Sequence, residues 1–250
     1  MKKLIILACL CMPGFVSNAQ KEKTEKNENE PAHKNVVKLN LFALGLKNIT
    51  LQYERAVAKK VTIAGTFRFM PKGSIPLKSS FIKLANDPET ERQINNLNIG
   101  NVAFMPEVRY YFGKKGAFRG FYVGLFANIA KYNADLVYEY DDAGTTKIIP
   151  MKGSITGITG GLMIGAQFKL SKKLYLDWWA LGPNYGNSNG KISGQKTLSP
   201  SEQQSLKDNL RDLDVPLTKF TYDVNSNGAT LNFKGPWAGL RSGLCIGFRF

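Results

Sequence analysis

Catalysis and metal binding need particular side chains, and this chain is poor in them. Its single histidine, His33, sits in QKEKTEKNENEPAHK, a stretch with almost nothing to bury. Ser-His-Asp and Cys-His chemistry both need an imidazole inside a fold, so neither has a base here. Cys9 and Cys11 lie in the first 19 residues and Cys245 near the other end. One strand cysteine and one histidine cannot make a zinc site. Asp141-Asp142 and the group Asp208, Asp212 and Asp214 lack the spacing of a dedicated calcium loop and read as solvated acids. Neither GxxxxGK[ST] nor GxGxxG occurs, which leaves phosphate-loop chemistry unsupported. The expectation is therefore no catalytic residue, no cofactor and no metal, in a protein that is not an enzyme. A lipid-modifying enzyme built on carboxylates, Ser and Tyr stands as the third reading.

Charge in odd places is what remains. Glu54, Arg68, Glu107, Arg109, Asp177 and Arg241 each stand on one side of a run that alternates apolar and polar residues. Such alternation is the strand signature. Eight long strands follow from it: 36–46, 49–57, 61–71, 101–112, 120–133, 157–170, 174–186 and 237–250. Each meets the roughly 9–11 residues that a tilted strand needs to cross a bilayer. The connections alternate between short (58–60, 113–119, 171–173) and long (72–100, 134–156, 187–236). Only the first, around Gly45 to Asn48, breaks the pattern. Short turns at one end and long loops at the other are the habit of outer-membrane barrels. The fold class expected is all-β: an eight-stranded antiparallel up-and-down transmembrane β-barrel over residues 35–250.

The strands then have a lipid side and a lumen side. In the sixth, Ile158, Leu162, Ile164, Phe168 and Leu170 share the lipid face. Gly157, Thr159, Gly161, Met163, Gly165, Gln167 and Lys169 share the other. In the fourth, Val102, Phe104, Pro106, Val108, Tyr110 and Phe112 point out while Glu107 and Arg109 point in. The same assignment turns Arg68, Glu54, Asp177 and Arg241 inward. An eight-stranded bore is just wide enough to be filled by side chains, and charge buried there is costly unless it is paired. The spacing predicts an interior salt-bridge network and no wide pore, with a narrow ion path as the other reading. Tyr110, Tyr111 and Tyr175 beside the short turns, and Tyr132, Tyr185 and Trp237 near the long loops, are expected at headgroup level. Trp178 and Trp179 fall mid-strand, one outward and one inward.

The loops carry local signals. LVYEY and TTKII flank Asp-Asp-Ala-Gly, so strands five and six are expected to run on above the membrane as a hairpin. Ser199-Pro200-Ser201-Glu202 is a capping box with Pro at the first helical position. Leu206, Leu210 and Leu213 follow at helical spacing, giving a helix over 200–213. FTYDV and ATLNF flank Asn225 to Gly228 as another hairpin, and a barrel of ten strands results if it enters the bilayer.

The first residues, MKKLIILACLCMPGFVSNAQ, have a basic start, an apolar core and a small-residue site at Ser17-Asn18-Ala19. They read as a secretory signal peptide over 1–19, with a lipoprotein using Cys9 or Cys11 as the other reading. Residues 20–34 read as a disordered periplasmic leader. The net charge of +15 falls to +13 without Lys2 and Lys3. In an exported protein that points to anionic outer-membrane lipids and lipopolysaccharide and away from nucleic acid; solubility of the loops is the alternative. The short turns alone hold Lys59, Lys60, Lys114, Lys115, Arg119, Lys172 and Lys173.

NITLQYERAVAKKVTIAGTFRF, PEVRYYF, FRGFYVGLF, GGLMIGAQFKLSKKLYLD and GLCIGFRF together resemble a family of small OmpA-like outer-membrane β-barrels of unknown function, common in Bacteroidetes. The resemblance implies a cell outer-membrane location and no catalytic residues. It also implies that Phe250, with Phe248 on the same strand face, is read by the barrel-assembly machinery. The insert at 187–236 has no counterpart in it. The function expected is a non-enzymatic structural or surface-interaction role in the cell envelope, with an extracellular ligand met by the long loops. A narrow channel for ions or small solutes is the alternative.

Overall fold

The alternation carries straight into the backbone. The structure, a computed structural model, describes residues 33–211 and 219–250. The signal peptide, residues 20–32 of the leader, and Asp212, Leu213 and Asp214 lie outside the described residues. The strands are β1 (Asn35–Asn40), β2 (Ile49–Ala56), β3 (Val61–Ser74), β4 (Asn98–Tyr111), β5 (Gly120–Asp142), β6 (Thr145–Lys169), β7 (Leu174–Gln195), β8 (Lys219–Asn225) and β9 (Gly228–Arg249). The helices are α1 (Leu41–Gly45), α2 (Lys78–Ala85), α3 (Pro88–Asn95) and α4 (Pro200–Arg211). No helix among the described residues is long and apolar enough to cross a membrane.

Sequential strands pair antiparallel from β1 to β7, β7 pairs with β9, and β1 returns to β9 with Val36 opposite Arg249 and Asn40 opposite Cys245. That closes a ring of eight, with β1 reaching only residues 245–249 of β9. β8 stays outside the ring. It pairs only with the far part of β9, from Lys219 opposite Lys234 to Asn225 opposite Gly228. The ten-stranded alternative is thereby set aside.

The first strand departs from expectation. It stops at Asn40, because the Asn40 side-chain oxygen accepts a hydrogen bond from the Ala43 N–H at 3.1 Å and caps one turn of helix. Leu41, Phe42 and Leu44 of α1 remain exposed, so the wall stays apolar outside even where it is helical.

β5 and β6 run on as the expected hairpin, and β3, β7 and β9 extend beyond their expected limits. Along β5 the outward residues Phe121, Val123, Leu125 and Ile129 give way to Lys131, Asn133 and Asp135. On β6, Phe168, Ile164, Leu162 and Ile158 give way to Thr156, Ser154 and Lys152. On β7, Leu181 and Tyr185 give way to Asn187, Asn189 and Lys191. The inward row changes the opposite way, from Arg109, Gln167 and Asp177 to Tyr140, Ile149, Met151 and Ile192. Below the change the sheet is apolar outside and polar inside. Above it, the sheet is built like that of a water-soluble protein. The upper part closes with a two-residue turn at Ala143 and Gly144, both with positive φ, as a tight hairpin requires.

Above the ring α4 packs into the curl of the extended strands. Leu206 and Leu210 are buried with Tyr140, Ile149, Met151, Ile192, Leu198, Val224, Ala229 and Leu231 in one apolar cluster. We call this unit the headpiece. At the opposite end Phe118, in the turn after β4, folds under the bore and packs with Val36 and Tyr175. The Arg249 guanidinium lies 5.4 Å from the Phe118 ring.

Candidate functional site

The inward charges meet in the lower half of the ring. Each arrives on a strand whose other face is apolar, so the alternation alone drives it into the bore. Glu54 comes from β2, Glu107 and Arg109 from β4, Asp177 from β7 and Arg241 from β9. Arg109 is the hub. Its Nε donates to Glu107 Oε1 at 2.7 Å, and one terminal nitrogen donates to Asp177 at 2.7 Å and to Glu54 at 3.4 Å. Arg241 donates to the other Glu107 oxygen at 2.8 Å and to Thr66 at 3.0 Å.

A sixth charge, Lys38 of β1, was not singled out in the sequence. It bonds Glu54, donates to Asp177 at 2.5 Å and donates to the Gln167 side-chain oxygen at 3.0 Å. Among these six, three cations balance three carboxylates. All are buried, which is tolerable because each charge has an opposite partner and further hydrogen bonds. Tyr111 donates to Glu54 at 2.8 Å, Thr62 donates to Glu54 at 2.5 Å and Tyr122 donates to Asp177 at 2.9 Å. Trp179 Nε1 donates to Asp177 at 2.9 Å, which accounts for the inward tryptophan. The Arg241 guanidinium lies over the Trp179 ring at 4.2 Å, and that of Arg109 over Tyr122 at 4.4 Å.

Glycines make the room. A Cβ on Gly165 would come within 2.4 Å of the Tyr122 hydroxyl, and one on Gly161 within 2.4 Å of the Pro183 carbonyl. Only a bare backbone lets these large polar side chains share the bore.

Arg68 is inward but stands apart. It lies opposite Thr50 and Ala103, further up the wall. It donates to the Tyr132 hydroxyl at 3.4 Å and forms no ion pair among the described residues. The expected aromatic girdle also divides. Tyr110 and Tyr185 are exposed, whereas Tyr111 and Tyr175 are wholly buried in the bore. Tyr132 and Trp237 are half-buried and stack on each other at 5.2 Å. The Tyr111, Tyr132 and Tyr175 hydroxyls take polar partners inside the ring. Lys169, expected inward, is exposed beside the turn after β6. Phe248 and Phe250 lie on the outside, and the Phe250 N–H donates to the Asn35 carbonyl at 2.9 Å.

The headpiece has its own polar clamp. The capping box forms: the Ser199 N–H donates to Glu202 at 2.9 Å and the Glu202 N–H donates to the Ser199 hydroxyl at 3.2 Å. Ser205 and Ser201 donate to Asp142 at the β5 tip, at 2.9 Å and 3.1 Å. Lys147 bridges Glu202 and Asp142 at 3.2 Å and 3.3 Å. The Ser199 N–H first, then Lys147, holds the Glu202 carboxyl down at about 2. Hydrogen bonds from Ser205 and Ser201, with Lys147, keep Asp142 below its usual range. Glu202 and Asp142 in turn raise Lys147.

Every charge in the six-membered network is paired with another, and Phe118 packs with Val36 and Tyr175 at the short-turn end. The His33 backbone carbonyl is an acceptor for Arg249 at 2.6 Å.

No curated protein matches the chain. Among solved structures it is similar to the N-terminal β-barrel domain of OprF from Pseudomonas aeruginosa, at 10% identity over 87% of this chain and 98% of that one, with a TM-score of 0.28. It is similar too to the β domain of the Bordetella autotransporter BrkA, at 9% identity over 87% of this chain and 98% of that one, with a TM-score of 0.30. A family model matches residues 5–204, most of the chain. The chain belongs to the DUF3575 family, described as proteins of unknown function.

Proposed function

We propose that this protein is an outer-membrane β-barrel with a closed bore, working without enzymatic chemistry through the headpiece it holds outside the membrane. One observation carries the reading. The outward face is apolar up to Ile129, Ile158 and Tyr185 and mainly polar beyond, Ile148 excepted, and the inward face inverts at the same height. Outward side chains such as Leu125 at 67% and Ile158 at 60% exposure form a continuous belt. A belt of that kind on a closed ring has lipid as its natural solvent. The lipids, including lipopolysaccharide, are the partners of the belt. The assembly machinery is the partner of Phe248 and Phe250, and the ligand of the headpiece is extracellular. Nucleic acid has no part in it.

The test uses cysteines introduced at Lys207 on α4 and at Lys115 in a short turn, with Cys245 replaced by Ala. A membrane-impermeant maleimide added to intact cells labels the first and spares the second. Labelling of the short-turn position from outside overturns the orientation. Replacing 196–218 by a short Gly-Ser turn then abolishes surface binding to cells or matrix while the barrel still assembles. Unchanged binding overturns the headpiece role. Steady single-channel steps from the refolded protein would favour a narrow channel instead.

A further inference from the structure

Between the ion network and the headpiece core lies a cavity of about 130 Å³. Arg68, Asn128, Tyr132, Trp237 and Arg241 line it. Among the described residues, three buried polar atoms of these lining side chains have no partner: Arg68 Nε, Arg241 Nε and Asn128 Oδ1. Asn128 and Arg241 are more than nine-tenths buried, so these orphans are costly unless something in the cavity satisfies them. Charge points the same way. The network below is neutral, and Arg68 adds one cation that no carboxylate answers among the described residues. Two guanidinium N–H donors call for acceptor oxygens, and the amide oxygen calls for a donor. A singly protonated phosphate group offers both, with one hydroxyl and charged oxygens.

We propose that this cavity binds a phosphate group, its oxygens on Arg68 and Arg241 and its hydroxyl on Asn128. The stacked Tyr132 and Trp237 wall it on one side. Its β9 wall, residues 238–241, belongs to the stretch 235–244, which pairs with β7 on one side and, among the described residues, with no strand on the other. β1 ends too early to cover it. A phosphate can therefore come as a free solute through the headpiece or as a lipid headgroup through this seam.

The experiment is a titration of the whole barrel in uncharged micelles with inorganic phosphate, dodecyl phosphate and acetate. Binding is followed by calorimetry and by the ¹⁵N resonances of the arginine Nε–H groups and the Trp237 indole. Phosphate shifts all three signals. Arg68→Gln weakens binding by about ten- to a hundredfold, the range for losing a hydrogen bond to a charged group. Arg68 lies outside the ion network, so the variant keeps its heat-modifiable fold, and Lys72→Gln, a surface change, binds as before. Dodecyl phosphate binding more tightly than inorganic phosphate supports a lipid source; equal affinities support a free solute. Acetate binding as well as phosphate overturns the phosphate assignment. Unmoved resonances with every probe overturn the site, leaving a pocket that holds only water.

Discussion

Arg109→Met destabilises the barrel by about 3–5 kcal/mol, the range for removing one partner from a buried ion pair. The geometry explains why the effect sits at the top of the single-residue scale. Among the described residues, Arg109 alone touches all three carboxylates of the network, Glu54, Glu107 and Asp177. Without it, Lys38 and Arg241 face three anions in a dry space. Methionine keeps most of the volume, so lost charge rather than a cavity is what the variant reports. Urea unfolding of the refolded barrel in lipid vesicles measures it. Adding Glu107→Gln to Arg109→Met removes one stranded anion and recovers part of the loss, because the two sites are coupled. A single variant within about 1 kcal/mol of the parent would mean that the pairs are solvated, as surface pairs are, and that the bore is wet.

Leu206→Asp releases α4 while leaving the barrel intact. Leu206 is fully buried in the headpiece cluster, and the ammonium groups at its border, Lys147 and Lys196, are already engaged by Asp142, Glu202 and the Tyr140 hydroxyl. A buried unpaired charge costs more than a cavity does, and large-to-small changes at such sites already cost about 2–5 kcal/mol. At about 3 kcal/mol the open population rises about a hundredfold. Cleavage within 196–218 accelerates to match wherever opening is fast compared with cutting. The heat-modifiable shift of the barrel stays. Acid reaches the same state by another route. Glu202 and Asp142 both have folded values below their ordinary ones. The clamp is therefore complete above the ordinary carboxylate range of about 4, and is lost as pH falls through the folded values towards 2. Pepsin cleavage of the same segment, normalised to a peptide control, follows it. A variant as resistant as the parent would show that α4 is not held by this core.

Much of this was legible because alternation is a strong signal where one face must be buried. The inward setting of Glu54, Glu107, Arg109, Asp177 and Arg241 follows from it, and so does the outward setting of Phe104, Leu162 and Phe168. Ser199 and Glu202 announce the start of α4 by chemistry that needs no tertiary context. Lys38 escaped notice between Val36, Val37 and Leu39, where one charge in a greasy run looks incidental. The same period puts Val36, Lys38 and Asn40 on one face and would have found it. β7 and β9 run past 186 and 237, the ends that apolar patterning sets for them. The alternation on β6 continues through Thr156, Ser154 and Lys152 with its sense reversed, as the proposed change of outside solvent from lipid to water requires. Arg68 could not be separated from the network by pattern alone, since sharing a face says nothing about height in a sheared barrel. Nor does a sequence reveal that Asn40 would cap a turn of helix in the wall.

The proposed membrane setting rests on that reversal of solvent. Nitroxide scanning along β6 in lipid bilayers, from residue 152 to 168, reads it most directly. Collision with oxygen, which concentrates in lipid, is predicted to peak at 158, 162, 164 and 168 and to be low at the inward positions between them. Collision with a water-soluble nickel chelate is predicted to take over at 156, 154 and 152. An outward row at 158–168 that meets the chelate as freely as 152–156 would contradict it.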